Sequence, residues 1–206
     1  MLRHALLVAL LFCVAVPVWA EEDQSLVQIR ASRVMYDAGM AQRDALLVLA
    51  AAKLRRSVGL EPVDRAAEDG TPSDERLGWA EMLEDARELA NGDPILTGLV
   101  EDVAAERTKG VTNGPVYNTA SLGAKDSDTY RNLPFDGQKY AEIYVEAGGR
   151  QDINLFVYDA QNRLVCSDTD ASAIAYCGWK PRSSGSFSVK VTNASGSGTT
   201  YSLVTN

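Results

Sequence analysis

The sequence predicts an α+β protein of two domains, an N-terminal antiparallel helical bundle followed by an all-β, jelly-roll-like sandwich with one disulfide. Three observations predict it. From Glu22 to about Lys109 the chain is rich in Ala, Leu, Glu and Arg, all good helix formers, and poor in strand-like runs. Beyond Pro115, apolar and polar residues alternate in short segments separated by Gly, Asn, Asp and Ser, the pattern of strands with one buried face. Two cysteines, Cys166 and Cys177, lie within that alternating half.

The first twenty residues are set aside as a secretory signal peptide (1–20). Arg3 supplies a basic opening, Ala5 to Val16 an apolar run, and Val18-Trp19-Ala20 a small-residue cleavage pattern before Glu21-Glu22. The run is too short to span a bilayer, which takes about 20 apolar residues. Cys13 lies after Phe12 rather than after the small residue a lipid anchor requires, so it reads as a passive apolar residue. Removing the leader removes His4, the only histidine, and turns the formal charge of −8 into −9 by loss of Arg3. A polyanionic partner such as nucleic acid is therefore disfavoured. Export also places Cys166 and Cys177 in oxidising surroundings, where an even pair is expected as a disulfide.

The helical domain, 21–109, is expected to hold four helices. The first covers about Asp23 to Ala38, with Gly39 as its terminator, and the second about Ala41 to Ser57. Leu47, Ala51, Leu54 and Val58 line one side of the second, widened by Leu46 and Leu49. Gly59 to Gly70, with Pro62, Asp64, Glu68 and Asp69, reads as a solvated loop. Thr71-Pro72-Ser73-Asp74 reads as a helix start, a cap followed by Pro and an acid. Trp79, Leu83, Ala86 and Ala90 then form a stripe that Asn91-Gly92 ends. Asp93-Pro94 opens a fourth helix whose Leu96, Leu99, Val100 and Val103 form another. The acids Glu81, Glu84, Asp85 and Glu88 read as a solvated face. The boundary falls in Thr108 to Pro115, where helix formers give way to Gly, Asn, Thr and Pro.

The sandwich domain, 110–206, is expected to contain strands at Val116–Leu122, Thr129–Leu133, Ala141–Ala147, Ile153–Tyr158, Leu164–Cys166, Ile174–Trp179, Phe187–Val191 and Tyr201–Leu203. A turn at Asp159–Asn162, an Asp-rich loop between the cysteines, and Lys180-Pro181-Arg182-Ser183-Ser184-Gly185 connect them.

From about Tyr117 to Asn206 the chain resembles the bacterial pre-peptidase C-terminal domain. The residues that carry the resemblance are the strand Asp152-Ile153-Asn154-Leu155-Phe156-Val157-Tyr158-Asp159, the Cys166-to-Asp170 segment, and Trp179-Lys180-Pro181. The Gly185-to-Asn193 strand and the closing Tyr201-to-Asn206 complete them. Relatives often read Asp-x-Asp-Leu where this chain has Asp152-Ile153-Asn154-Leu155, so one acid is an amide here. The resemblance implies an extracytoplasmic accessory module, in some relatives linked with secretion or with binding insoluble polymer, and without chemistry of its own. The helical half resembles no family in the same way.

Two candidate sites follow. Calcium takes six to eight oxygen ligands, and Asp152, Asn154, Asp159, Asp168 and Asp170 supply carboxylates and an amide within one stretch; the competing reading is that they build turns. Tyr144, Tyr158, Tyr176 and Trp179 could form an aromatic platform for sugar or peptide, against packing of Trp179 at the sandwich edge beside the disulfide. Asn193-Ala194-Ser195 matches an N-glycosylation acceptor.

Without histidine, Ser-His-Asp and Cys-His catalysis and His-ligated metals drop out. A carboxylate-based hydrolase has no positioning motif to support it. The expectation is a periplasmic or secreted protein that is not an enzyme. It would need no cofactor unless calcium is bound, and would bind an envelope or extracellular polymer or protein. The alternative is an interaction protein that recruits a partner through its helices.

Overall fold

The computed structural model describes residues 24–106 and 114–206. The expected leader and most of the expected boundary at Thr108–Pro115 lie outside the described residues. Four helices, α1 (Gln24–Gln42), α2 (Ala45–Ser57), α3 (Trp79–Ala90) and α4 (Pro94–Ala105), precede most of the strands. Gly39 does not end α1, which continues to Gln42. The chain turns at Arg43, which has φ 55°, and Asp44 then caps α2 by accepting hydrogen bonds from Leu46 and Leu47 N–H. Asp93 caps α4 in the same way through Ile95 and Leu96. Ala51, Ala52, Met82, Leu83, Ala86, Val100 and Val103 bury the helices' facing sides. Leu46 points outward at 52% exposure, so it does not widen the apolar face of α2.

The expectation for 59–74 is corrected. Glu61–Pro62 (β1) and Thr71–Pro72 (β2) pair with Val116–Leu122 (β3) at the edge of a sheet, and Val63 N–H donates to Tyr117 O at 2.8 Å. Pro is tolerated there because an edge strand leaves one side of its backbone unpaired. α3 therefore starts at Trp79, where the Glu81 carboxylate reaches back to accept Gly78 N–H.

The remaining strands are β4 (Ser127–Phe135), β5 (Ala141–Ala147), β6 (Ile153–Tyr158), β7 (Leu164–Asp168), β8 (Ile174–Trp179), β9 (Gly185–Asn193) and β10 (Thr199–Thr205). One sheet runs β1-β3-β10-β5-β8, with β2 also on β3, and the other runs β4-β9-β6-β7. Apart from the β6–β7 hairpin, consecutive strands from β3 onward alternate between the sheets, the order of a jelly roll. Ile143, Val145, Leu203, Leu155, Val157, Val189 and Val191 fill the core between them, each with no solvent exposure. Cys166 on β7 and Cys177 on β8 are disulfide-bonded across the two sheets, with Cα atoms 5.9 Å apart.

The helices cover the outer face of the first sheet. Leu26, Ile29 and Val58 pack against Tyr144 and Val204. Arg33 donates to the carbonyls of Ala147 and Gly149, each at 2.6 Å. Every residue of β5 is consequently buried on both faces. No described helix is long and apolar enough to cross a membrane.

Candidate functional site

Of the five oxygen donors expected to share a calcium ion, Asp159 lies apart from the others. Asp152 and Asp159 flank opposite ends of β6, roughly 20 Å apart at the rise of an extended chain. Ligands of one ion lie within about 5 Å of each other. Asp159 instead shapes the β6–β7 turn, accepting Gln161 N–H, Arg163 N–H and the Arg163 guanidinium at 2.7 to 3.0 Å. These hydrogen bonds, the Arg163 N–H first among them, hold its carboxyl below the usual carboxylate range. Asp168 accepts Asp170 N–H and Tyr176 N–H. Asp152 Oδ1 and Asn154 Oδ1 are buried without a donor among the described residues. Among the described residues no three His, Cys, Asp or Glu side chains are grouped to hold a metal.

The four aromatic residues do not form one platform either. Tyr144 is buried under the helices and donates to Glu146 at 2.8 Å. Tyr176, its neighbour on β8, is half-buried beneath Arg30 and donates to Glu142 at 2.6 Å. Tyr158 belongs to the other sheet. Trp179 points inward at the open end of the sandwich, with ring centroids 4.9 Å from Phe135 and 5.3 Å from Phe187. The glycosylation match also fails, because Asn193 is fully buried and its amide nitrogen donates to Gly123 O and Ser197 O.

Trp179 nevertheless marks the region where clefts converge. Three loops meet there: β4–β5 (136–140), β6–β7 (159–163) and β8–β9 (180–184). A cleft of about 640 Å³ lies between the first and third, one of about 380 Å³ between the second and third, and one of about 250 Å³ beside the second. Ser186 lines all three.

The first and third loops hold each other in place. Gln138, with φ 63°, donates its backbone N–H to Pro181 O at 2.8 Å and its side-chain amide to Arg182 O at 2.7 Å. Gly137 N–H donates to Ser184 Oγ at 2.9 Å. A Cβ on Gly137 would stand 2.5 Å from Ser184 N and 2.6 Å from the Ser183 backbone, so only glycine permits this approach.

Charge at this end is uneven. Asp136 pairs with Lys139 and Asp159 with Arg163. Lys180 and Arg182 are exposed, and among the described residues neither side chain has an acidic partner. Trp179 Nε1 is a buried donor with no acceptor among the described residues. The arrangement can offer an incoming group positive charge carried on a held backbone, serine hydroxyls and the partly exposed Trp179 ring. Sequence reasoning passed over these residues by treating Lys180 to Gly185 only as a connection; the signal was two cations flanking a proline directly after a tryptophan.

No protein-family model matches the chain, and no curated protein matches it. Solved structures are similar to its sandwich. The pre-peptidase C-terminal domain of a collagenase from Bacillus anthracis is 17% identical over 44% of this chain and 87% of that one, with a TM-score of 0.36. PliG from Aeromonas hydrophila, a periplasmic inhibitor of g-type lysozyme, is 18% identical over 45% and 84%, with a TM-score of 0.34. The Yersinia pseudotuberculosis-derived mitogen is 15% identical over 47% and 86%, also with a TM-score of 0.34. The likeness is one of β-sandwich form.

Proposed function

We propose that this is an exported, non-catalytic binding protein that contacts an envelope or extracellular polymer through the open end of its sandwich, with the helices serving as a fixed cover for the opposite sheet face. The observation that carries the reading is the set of clefts meeting at Ser186, two of whose three bordering loops hydrogen bonds hold to each other. A concave, pre-formed surface with a few placed polar groups is what recognition requires. The disulfide supports an oxidising compartment. A non-catalytic role is supported by the tying of both sandwich cysteines in that bond and by a sequence whose only histidine is His4.

Sedimentation of the purified protein with insoluble peptidoglycan, pectate gel, cellulose and gelatin tests this. At least one polymer should retain the protein. Ser186→Trp, which fills the meeting point of the clefts from an exposed position, should lose that retention while the circular dichroism spectrum stays the same. Retention by none of the four, or undiminished retention of the variant, overturns the reading.

A further inference from the structure

We infer that the ligand of this groove is an anionic saccharide, a sugar ring bearing a carboxylate, with Lys180 and Arg182 as the residues that select its charge. The inference rests on the binding role proposed above and adds the chemical class of the ligand.

The acids at this end each hold a cation of their own, Asp136 holding Lys139 and Asp159 holding Arg163. Among the described residues Lys180 and Arg182 are left without an acidic partner, on a chain whose formal net charge is −8. Two unpaired cations a residue apart on a strongly acidic protein would be an ordinary solvated pair if their backbone were loose. It is held: Pro181 between them is buried, and the carbonyls of Pro181 and Arg182 accept the two Gln138 donors. The backbone that carries the charges is therefore pre-formed, so a ligand that meets them orders the two side chains and little else. At physiological salt the Debye length is about 8 Å, so an acid in the groove feels these two charges more than the distant negative surface.

The rest of the lining favours a sugar over a peptide. Ser184 and Ser186 offer hydroxyls that both donate and accept, matching ring hydroxyls. Trp179, half-buried at the mouth of the cleft, offers apolar surface of the kind that receives the C–H face of a ring. A longer nucleic-acid polyanion is opposed by the overall charge.

Calorimetry of the full chain with trigalacturonate, maltotriose and triglutamate, ligands of matched length, decides the matter. Trigalacturonate should bind most tightly and weaken with added salt. Lys180→Gln with Arg182→Gln should weaken it about tenfold or more, as expected from loss of charge-assisted hydrogen bonds, and should weaken maltotriose by a smaller factor, so that the preference for the acidic sugar falls. Equal affinity for trigalacturonate and maltotriose, or an unchanged affinity in the double variant, overturns the selection of charge. Triglutamate binding as tightly as trigalacturonate overturns the saccharide. Should Ser186→Trp abolish binding while the double variant does not, the groove stands and only the anionic class falls; an unaffected Ser186→Trp removes the groove itself.

Discussion

The Arg55 guanidinium of α2 meets the Glu146 carboxylate of β5 through two hydrogen bonds, Nη1 to Oε1 at 2.5 Å and Nη2 to Oε2 at 2.9 Å, with both side chains 3% exposed. This pair joins the helices to the sandwich. Tyr144 adds a hydrogen bond to Oε2, and Ser32 accepts one from Arg55 Nε. Burial pushes the Glu146 carboxyl up, but the Arg55 charge and hydrogen bonds, with Arg33 and Tyr144 helping, outweigh it and hold the group below the usual carboxylate range.

Breaking a buried pair by removing one partner leaves an uncompensated charge and typically costs about 3–5 kcal/mol. Arg55→Met should lower stability by that order in urea unfolding, and Arg55→Met with Glu146→Leu should recover most of the loss. The pH dependence has a definite sign. In the unaltered protein Glu146 has a depressed pKa, so its contribution is present above the unfolded value of about 4.3 and is lost as pH falls through the folded value. In Arg55→Met the buried carboxylate has lost its counter-charge and protonation relieves it. The gap between the two proteins should therefore narrow on acidification; a constant gap from pH 7 to pH 3 would show that the charge pair is not its source.

Asp128 presents the opposite sign. It is 1% exposed and accepts the Tyr201 hydroxyl at 2.6 Å. Burial pushes its carboxyl up, the Tyr201 hydrogen bond opposes this, and Asp126 and Asp69 add to the rise. A raised pKa favours the folded state fully below the unfolded value of about 3.9 and is a growing penalty as pH rises through the folded value. Asp128→Asn keeps an acceptor for Tyr201 and carries no charge. Its unfolding midpoint should exceed that of the unaltered protein at pH 7 and converge with it at pH 3. A lower midpoint at pH 7 would sink this account.

How much of this was legible depended on whether the determining contact was local. The strands at Val116–Leu122, Ala141–Ala147 and Ile174–Trp179 could be bounded from the period of two, because that period is written in adjacent residues. β5 reads Ala-Glu-Ile-Tyr-Val-Glu-Ala, which suggests one wet face. Both faces are buried because the partner of Glu146 lies 91 residues upstream, a separation no local pattern encodes. Thr71-Pro72 differs from its local pattern for the same reason: a cap signature is local, whereas the pairing with Ala120 and Ser121 that places these residues in a sheet is not. At the open end, Lys180 to Ser184 was visible as a run of residues, but its holding contact from Gln138 spans 44 positions.

The disulfide closes a short loop, 11 residues in separation, with Cys177 fully buried in the core. Removing a native bridge from a small exported domain typically costs about 2–5 kcal/mol. Cys166→Ala with Cys177→Ala should lower the denaturant midpoint by that order without altering the strand signal in circular dichroism. The unaltered protein, unfolded without reductant, should show no thiol reactive toward a colorimetric reagent from these two positions. Recovery of both thiols under those conditions would contradict the bond.

The sandwich taken alone, residues 114–206, should not behave as an independent soluble unit. Tyr144 and Val204 lie under Leu26, Ile29 and Val58 in the whole chain, and Glu146 would lose Arg55. Exposing that apolar face invites self-association, and each aliphatic or aromatic side chain returned to water forfeits about 1.5–3 kcal/mol of burial. The buried carboxylate would regain solvent, which removes its penalty but does nothing for the bared face. β3 would also lose its pairing with β1 and β2, leaving an open edge that can add another chain. Size-exclusion chromatography should find 114–206 aggregated or unfolded, and adding residues 24–106 back in the same chain should restore a dispersed, cooperatively unfolding species. A monomeric 114–206 with the same thermal midpoint as the whole chain would mean the helices do not hold this face.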